Sequence, residues 1–333
     1  MLLFSLFCFI PVVAQQKVMP LKGEGLDAFL IRNKRTPRVY KAEFIELNKS
    51  KLGKKNTLLS GVKYQLPEVR KYATSNASPK RVKHAVGSSF NEPLFGKALA
   101  KGKVKTTRLA GACFYLVSGH GGPDPGAIGK CHGHELHEDE YAYDIVLRLA
   151  RLLMEEGADV RIVIQDSKDG IRDVAYLPNS KRETCMGSTI PLNQVQRLRQ
   201  RCEKINSMYA TDKKNYDYCR SVFVHVDSRS KRKQTDVFFY HANESPKSEK
   251  LAKNVRDVFE EKYSKHQPER GFKGTVSGRN LYVLRKSAPV SMFVELGNIQ
   301  NSFDQRRFVL NSNRQALAKW MMEGLLRDFN QHK

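Results

Sequence analysis

Apolar residues between residues 109 and 330 alternate between strand-like runs and helix-like spacings. A continuous apolar run at 112–117 predicts a buried strand, and Tyr141, Ile145 and Leu149 predict one face of a helix that begins at Glu138. Further strands are predicted at 160–164, 222–226, 237–240, 281–284 and 290–294, and further helices at 192–209, 251–259 and 317–325. This alternation is typical of an α/β domain with a mixed, largely parallel sheet flanked by helices.

The chain before this domain has a different pattern. Two short helical patterns lie between a Gly-Glu-Gly turn at 23–25 and a closing segment at 61–67, which predicts a small α+β module over 20–67. Residues 68–108 contain few large apolar side chains, and such a composition predicts a linker. Its apolar anchor, Pro93–Phe95, is expected to dock on the following domain at 109–330.

The first 14 residues are almost wholly apolar and end in Val12-Val13-Ala14. This pattern predicts a secretory signal peptide over 1–14, cleaved after the small residue Ala14. No basic region precedes the apolar run, so a buried N-terminal strand or helix is the alternative. No other run approaches the ~20 apolar residues that a membrane span needs. We therefore expect an exported protein of the periplasm or cell envelope with no stable membrane span.

The chain of 333 residues carries a formal charge of +24, concentrated near its start. Residues 16–108 contain 22 lysines or arginines against 6 acidic residues. For an exported protein, such a basic surface favours anionic envelope polymers as partners rather than nucleic acid. The alternative is a solvated surface that only keeps the protein soluble.

Six cysteines are present, and Cys8 lies in the predicted signal. Phe7 before it is too large for the small residue expected at a lipoprotein processing site. The other five form no CxxC pair, and their odd number argues against a complete disulfide framework, although one or two bridges remain open. Cys113 lies in a strand pattern and is predicted to be a small core residue.

Four residues that can bind metal or transfer protons lie where strands end or helices begin. His120 and His225 each follow a buried strand, Glu138 begins a helix, and Glu295 ends the last strand. The carboxyl ends of parallel strands share one edge of a sheet, where sites of such folds usually lie. Two histidines and a carboxylate, with a second carboxylate to move protons, are typical of a zinc hydrolase.

At these positions the chain resembles the zinc-dependent N-acetylmuramoyl-L-alanine amidases that cut peptidoglycan. The resemblance extends roughly over 109–329 and rests on four blocks in the same order. They are the Gly-His-Gly-Gly-x-Asp-Pro-Gly-Ala loop at 119–127, the acidic residue Glu138 opening a helix, the His-x-Asp-Ser segment at 225–228, and the Val-Glu-x-Gly-x-x-x-Asn segment at 294–301.

The resemblance implies zinc held by His120, Glu138 and His225, with Glu295 as the catalytic acid and base. It also implies supporting roles for Arg201, Asp227 and Asn301. Two positions depart from the family pattern, because Asp227 replaces a more usual asparagine and Ile205 replaces an alanine. The implied activity is hydrolysis of the amide between N-acetylmuramic acid and L-alanine, in cell-wall remodelling or cell separation. An activating protein partner is left open.

The basic module resembles a LysM glycan-binding repeat. Gly23-Glu24-Gly25-Leu26 stands at the opening turn of that repeat, and Gly61 to Pro67 stand at its closing strand. This resemblance implies that the module binds peptidoglycan; the alternative is an unrelated basic module.

Several alternatives remain open at this point. A zinc carboxypeptidase acting on stem peptides would use the same metal, but Pro123 stands where its H-x-x-E ligand spacing needs a glutamate. A non-catalytic wall-binding regulator would retain the fold alone. Either histidine could be structural, and Glu295 could form a salt bridge with Arg201 or Arg279. A competing His-x-x-His-Glu string runs over 134–138. The long connection at 166–190 predicts a lid or substrate wall, with disorder as its alternative.

Overall fold

A computed structural model of the chain describes residues 17–21, 23–33, 35, 37–68, 84–226, 234 and 236–332. The predicted signal peptide, Cys8 and Asp227 lie outside the described residues. The chain divides into two compact units, Met1–Ser78 and Pro79–Lys333. Among the described residues, no helix has both the length and the apolar content to span a membrane.

The first unit contains two short strands and two helices in the order strand, helix, helix, strand. These are β1 (Lys17–Val18), α1 (Leu26–Arg32), α2 (Pro37–Leu47) and β2 (Tyr64–Gln65), with a 3-10 turn at Lys54–Asn56 before β2. The two strands pair antiparallel. The helices close over a small core of Phe29, Leu30, Phe44, Tyr64 and Leu66. Three of these side chains are aromatic and pack within 6.2 Å of one another between ring centroids.

Residues predicted as a linker form folded structure from residue 84 onward. β3 (Ser89–Asn91) and β4 (Lys101–Lys103) pair as a hairpin around a 3-10 turn at Pro93–Phe95. Phe95 is buried in the main core, and the backbone N–H of Lys105 donates to the carbonyl of Glu155 at 2.7 Å. The 84–108 part of the predicted linker is therefore a folded part of the second unit, because its apolar anchor docks as expected.

The second unit continues with strands and helices in alternation. In chain order they are β5 (Ala112–Ser118), β6 (Ile128–Cys131), β7 (His134–His137), α3 (Glu138–Glu155), β8 (Asp159–Ile162), β9 (Ile164–Gln165), β10 (Thr184–Cys185), β11 (Ser188–Thr189), α4 (Gln194–Asp212), β12 (Tyr218–His225), β13 (Phe238–His241), α5 (Pro246–His266), β14 (Thr275–Gly278), α6 (Tyr282–Lys286), β15 (Val290–Glu295), α7 (Ser302–Val309) and α8 (Asn311–Asn330).

Within the described residues, the central sheet has six strands in the order β14-β13-β15-β12-β5-β8. All neighbouring pairs are parallel except β13 and β15, which are antiparallel. Alternate residues of each strand face opposite sides: Phe114 and Leu116 pack in the main core with α3, α5 and α8, while Tyr115 and Val117 pack in a second core with α4 and α6. The predicted mixed, largely parallel α/β fold is confirmed.

The strand predicted at 281–284 is wrong. These residues enter α6, and Val283 and Leu284 are buried in the second core rather than paired in the sheet. A run of four apolar residues is too short for its periodicity to separate a strand from one turn of a helix. The strand at this edge of the sheet is β14, whose sequence Thr-Val-Ser-Gly has little apolar content.

The long connection at 166–190 is ordered, contrary to the alternative of disorder. Its backbone is held by buried side chains of the helices: Asp144 accepts from the N–H of Arg172 at 2.8 Å, and Arg314 donates to the carbonyl of Val174 at 3.0 Å. β9, β10 and β11 form a small antiparallel sheet at its two ends. The five cysteines after Cys8 are free thiols, and Cys113 is fully buried in the core, as predicted.

Candidate metal centre

Adjacent strands bring two histidines and a glutamate to one edge of the sheet. β5 and β12 are parallel neighbours with Ser118 beside Val224, so that His120 and His225 leave the same edge. β15 lies on the other side of β12, and its last residue, Glu295, is in register with His225. This convergence follows from the parallel arrangement, which places the carboxyl ends of β5, β12 and β15 together.

The backbone after β5 turns sharply at His120. This residue has a φ of 55°, in the left-handed region that few non-glycine residues adopt, and Gly121 and Gly122 follow with φ of 97° and 65°. Such strained conformations cluster at functional sites because the surrounding structure must hold them. Here the turn carries the His120 imidazole towards the first residue of α3.

His120, Glu138 and His225 form a compact group that could hold a metal ion. One ligand atom from each residue lies within 4.8 Å of the others. Nε2 of His120 is 3.3 Å from Oε2 of Glu138, and Nδ1 of His225 is 3.0 Å from Oε1 of the same carboxylate. The two imidazole rings are 5.0 Å apart between centroids and nearly perpendicular. The structure thus brings together the three residues that the sequence predicts as ligands.

A second layer of contacts orients these side chains. Oδ2 of Asp124 lies 2.9 Å from Nδ1 of His120 and also accepts from Arg197 at 2.5 Å. The N–H groups of Ala127 and Val226 donate to the two oxygens of Glu138 at 2.9 and 3.1 Å. On the other ring, His225 stacks on Phe293 with 4.3 Å between centroids. Each of the three candidate ligands is therefore held by a partner outside the group.

The charges within the group perturb its titration when no metal is bound. Burial by itself lowers the pKa of His120, but Glu138 and Asp124 outweigh it and raise the pKa to about 10. Burial raises the pKa of Glu138, yet the two imidazoles hold it well below its usual range. Burial lowers the pKa of His225, and Glu138 offsets this only in part. Metal binding would therefore release the proton from His120.

Two glycines allow the three side chains to approach one another. A Cβ at Gly119 would lie 2.5 Å from the ring of His225. A Cβ at Gly126 would lie 2.7 Å from both Oε2 of Glu138 and Cδ2 of His120. No side chain larger than a hydrogen fits at either position without displacing a candidate ligand.

The group opens into a cavity of about 460 Å³. Its lining includes the three candidate ligands, Asp124, Arg197, Arg201, Glu295, the side chains of Phe223 and Phe293, and residues 281–283 of the loop and helix α6. Glu295 is buried, with 5% of its surface exposed. None of the lining residues comes from 166–190, so the long connection is not a wall of this cavity.

The sequence model of the family described as N-acetylmuramoyl-L-alanine amidase matches residues 115–327. The chain belongs to this family. It is thus an amidase of peptidoglycan, and the matched region contains all four predicted site residues. This membership confirms the resemblance inferred from the motif blocks.

Individual relatives are distant. A germination-specific N-acetylmuramoyl-L-alanine amidase of Bacillus subtilis (strain 168) is 23% identical over 223 residues, covering 67% of this chain and 82% of that protein. Among solved structures, the amidase AmiC2 of Nostoc punctiforme is 20% identical with a TM-score of 0.46, over 68% of this chain and 99% of that one. The CwlD amidase of Clostridioides difficile, solved in complex with the GerS lipoprotein, is 16% identical with a TM-score of 0.49, over 66% and 98%.

The supporting residues predicted for this amidase lie in different places. Arg201 is buried in α4 and donates a hydrogen bond to the carbonyl of His120, so it holds the strained turn. Asn301 is the N-cap of α7 and accepts from the N–H groups of Phe303 and Asp304 at 2.9 and 3.1 Å. Asp227 lies outside the described residues.

Sequence reasoning missed Asp124 and Arg197 as partners of His120. Asp124 stands four residues after His120 inside the matched loop, so its position in the motif was the available signal. Arg197 is 73 residues away in sequence, and only the packing of α4 brings it to Asp124.

The competing His-x-x-His-Glu string does not form a ligand set. His134 and His137 lie on strand β7 rather than on a helical face. His134 stacks on Tyr176 at 3.9 Å between centroids, and His137 lies 3.3 Å from Glu135. Within the described residues, only Glu138 of this string joins the group with His120 and His225.

Proposed function

We propose that this protein is a zinc-dependent amidase that hydrolyses the bond between the lactyl group of N-acetylmuramic acid and L-alanine. The observation that carries the proposal is the group of His120, Glu138 and His225, placed in one cavity with the carboxylate of Glu295. The family supplies the substrate class, and the residues supply the metal and the proton chemistry.

The three side chains fit zinc by their chemistry. Catalytic zinc takes three protein ligands of nitrogen and oxygen type and leaves a fourth position for water or substrate. Oδ2 of Asp124 contacts Nδ1 of His120, which places the proton on Nδ1 and leaves the lone pair of Nε2 for a metal. The cavity in front of the group provides room for substrate. When bound, zinc polarises a carbonyl and lowers the pKa of water from ~16 towards ~7.

The chain's own residues complete the reaction. Glu295, in register with His225 on the neighbouring strand, accepts a proton from the attacking water and delivers it to the alanine nitrogen as the C–N bond breaks. Asp124 and Arg197 keep the His120 ring in one orientation. Phe293, stacked on His225, excludes water from one side of the site. The products are a free peptide that begins with L-alanine and an intact glycan strand.

Product analysis decides between this reaction and its alternatives. Purified zinc-loaded protein is incubated with peptidoglycan, and the soluble products are identified by mass spectrometry. Free peptides with an N-terminal L-alanine support the proposal. Shortened stem peptides still joined to muramic acid indicate a carboxypeptidase, and the absence of any product from zinc-loaded protein indicates a non-catalytic regulator.

We expect Gly126→Ala to weaken zinc binding. The added methyl group meets Glu138 and His120 at 2.7 Å, and the residue must also keep a φ of 69°. The matched control is Gly133→Ala in the nearby β6–β7 turn, where φ is 82° but no atom lies within 4 Å of the new Cβ. Both variants carry a backbone penalty of roughly 1–2 kcal/mol. Competition with a zinc-sensitive chelator should show weaker binding in Gly126→Ala alone; equal losses in both would contradict the steric explanation.

The first unit is proposed to hold the enzyme on its polymeric substrate in the manner of a LysM repeat. Its order of strand, two helices and strand is the order that the LysM resemblance implies. Its basic surface favours anionic wall polymers over nucleic acid. The stem-peptide preference is a separate property of the catalytic cavity.

We expect a chain that starts at Pro79 to keep its activity on soluble muropeptides but to sediment less with insoluble cell wall. The start is chosen because residues 84–108 pack on the catalytic core. Sedimentation is compared at low and high salt, since a purely electrostatic contact weakens as the ~10 Å screening length at 0.1 M becomes shorter. Equal sedimentation of the full-length and shortened chains would refute the anchoring role.

We propose that the protein is exported and works at the cell envelope. The apolar segment 1–14 with its small terminal residue supports this location. N-terminal sequencing of protein isolated from its own cell should begin at Gln15 or close to it. A mature protein that still begins with Met1 would contradict the proposal.

A further inference from the structure

Three buried carboxylates form a second group behind the His120 turn. One oxygen from each of Asp139, Glu140 and Glu183 lies within 4.8 Å of the others. Their exposed fractions are 3%, 1% and 7%. Asp139 and Glu140 directly follow Glu138 at the start of α3, whereas Glu183 comes from the end of the connection at 166–190. None of the three lines the catalytic cavity.

The partners of these carboxylates supply too little positive charge. Arg172 donates to Oε2 of Glu140 at 2.9 Å. Glu183 accepts from the backbone N–H of Gly122 at 2.8 Å, and Oδ1 of Asp139 accepts from the N–H of Glu140 at 3.0 Å. These backbone donors carry no net charge. One guanidinium therefore faces three carboxylates, which leaves an excess of two negative charges when all are ionised.

Asp139 provides the second, separate indication. Its Oδ2 is completely buried and has no hydrogen-bond partner among the residues that the structure describes. A buried carboxylate oxygen without a partner is unfavourable, because the group has lost water and gained nothing in return. The carboxylate belongs to the same group of oxygens as Glu140 and Glu183.

We propose that Asp139, Glu140 and Glu183 bind a hard divalent cation, Ca²⁺, at a site distinct from the catalytic zinc. Ligands that are all oxygen are the set that Ca²⁺ takes in proteins, whereas the catalytic group offers two imidazoles. A charge of +2 matches the excess of two carboxylates. The ion also supplies the missing partner of Asp139.

Such an ion would join two segments that are distant in sequence. Glu183 bonds to Gly122, and a Cβ at Gly121 would lie 3.6 Å from the Cβ of Glu183, so the end of the connection packs directly on the turn after His120. Asp139 and Glu140 adjoin the ligand Glu138. The cation therefore links the connection, the His120 turn and the start of α3. Its role is to stabilise the support of the zinc site.

Proton uptake is the competing way to neutralise these carboxylates. Burial and the neighbouring carboxylates raise the pKa of Asp139 to about 8. Burial likewise raises the pKa of Glu140, to about 7, although Arg172 opposes the shift. A group neutralised by protons alone would show no affinity for calcium, so direct binding measurements separate the two.

Calcium binding is measured on the full-length protein. Metal is removed with EDTA, one equivalent of zinc is restored, and Ca²⁺ is titrated up to about 1 mM by equilibrium dialysis with metal analysis. The variants are Asp139→Asn and Glu183→Gln, which keep the side-chain size. The matched control is Glu203→Gln, which removes the exposed carboxylate that pairs with Arg199 on α4.

We expect one Ca²⁺ per chain in the wild type and in Glu203→Gln, with affinity at least about tenfold weaker in Asp139→Asn and Glu183→Gln. Calcium should also raise the melting temperature of the first two proteins only. Absence of calcium binding in the wild type, or equal binding in all four proteins, would overturn the proposal. Because calcium is counted directly, this outcome is independent of whether the protein proves to be a zinc amidase.

Discussion

Replacing Glu295 by glutamine is expected to lower turnover on peptidoglycan by a factor of roughly 10²–10⁴, the usual contribution of a positioned acid or base. Glutamine preserves the shape of the side chain but cannot accept the proton of the attacking water. Glu295 is not among the three proposed zinc ligands, so zinc content and wall binding should both persist. Release of peptide from purified cell wall, measured with zinc content on the same sample, tests this.

Glu203→Gln provides the control for this experiment. It makes the same chemical change at an exposed position of α4 and should leave turnover unchanged. Full activity of Glu295→Gln would exclude Glu295 as the catalytic acid and base. Loss of both activity and zinc would instead indicate that Glu295 acts on the metal centre itself.

Removing any one of the proposed zinc ligands is expected to abolish stoichiometric zinc and, with it, activity. His120→Ala, Glu138→Ala and His225→Ala each leave only two ligands where a catalytic site needs three. The main core does not include these side chains, so the fold should survive. Zinc per chain, measured by elemental analysis after gel filtration, should fall from about one towards zero, while circular dichroism remains that of the wild type.

His134→Ala is the matched control for the ligand variants. His134 lies on β7 near the site, but its ring stacks on Tyr176 rather than joining the metal group. It should retain both zinc and activity. Full zinc occupancy in His120→Ala and His225→Ala would show that the ligands have been assigned wrongly.

The main elements of the catalytic unit could be predicted from local pattern. The strand at 112–117 and the helix from Glu138 appear in the structure as β5 and α3 with shifts of at most one residue. Both are long or strongly periodic, so that burial on one or both faces is visible in the sequence itself. At 281–284 the apolar run was too short for this, and the prediction of a strand was wrong.

The candidate ligands were also readable from the sequence, because each stands at the end of a predicted strand or the start of a predicted helix. Parallel neighbours then bring those ends together. The contacts that orient the ligands were less accessible: Arg197 reaches Asp124 across 73 residues, and Arg201 reaches the carbonyl of His120 across 81. No local pattern encodes such pairs.

The connection at 166–190 shows the same division. Its length and turn residues predicted an irregular segment, and they suggested a lid or substrate wall. Its order comes from Asp144 and Arg314, buried residues of α3 and α8 that bond to its backbone. Whether an irregular segment is ordered depends on partners elsewhere in the chain, and sequence length alone carries no information about them.

The sequence by itself determined the fold class, the family and the four residues expected to carry the chemistry, since hydrophobic periodicity and short motifs are local properties. Only the tertiary structure decided that residues 84–108 join the catalytic unit, and that the connection at 166–190 lies outside the cavity. It alone brought Glu183 to Asp139 and Glu140. These features depend on which buried polar groups meet after the chain has folded, and burial makes such meetings favourable only where each charge finds a partner.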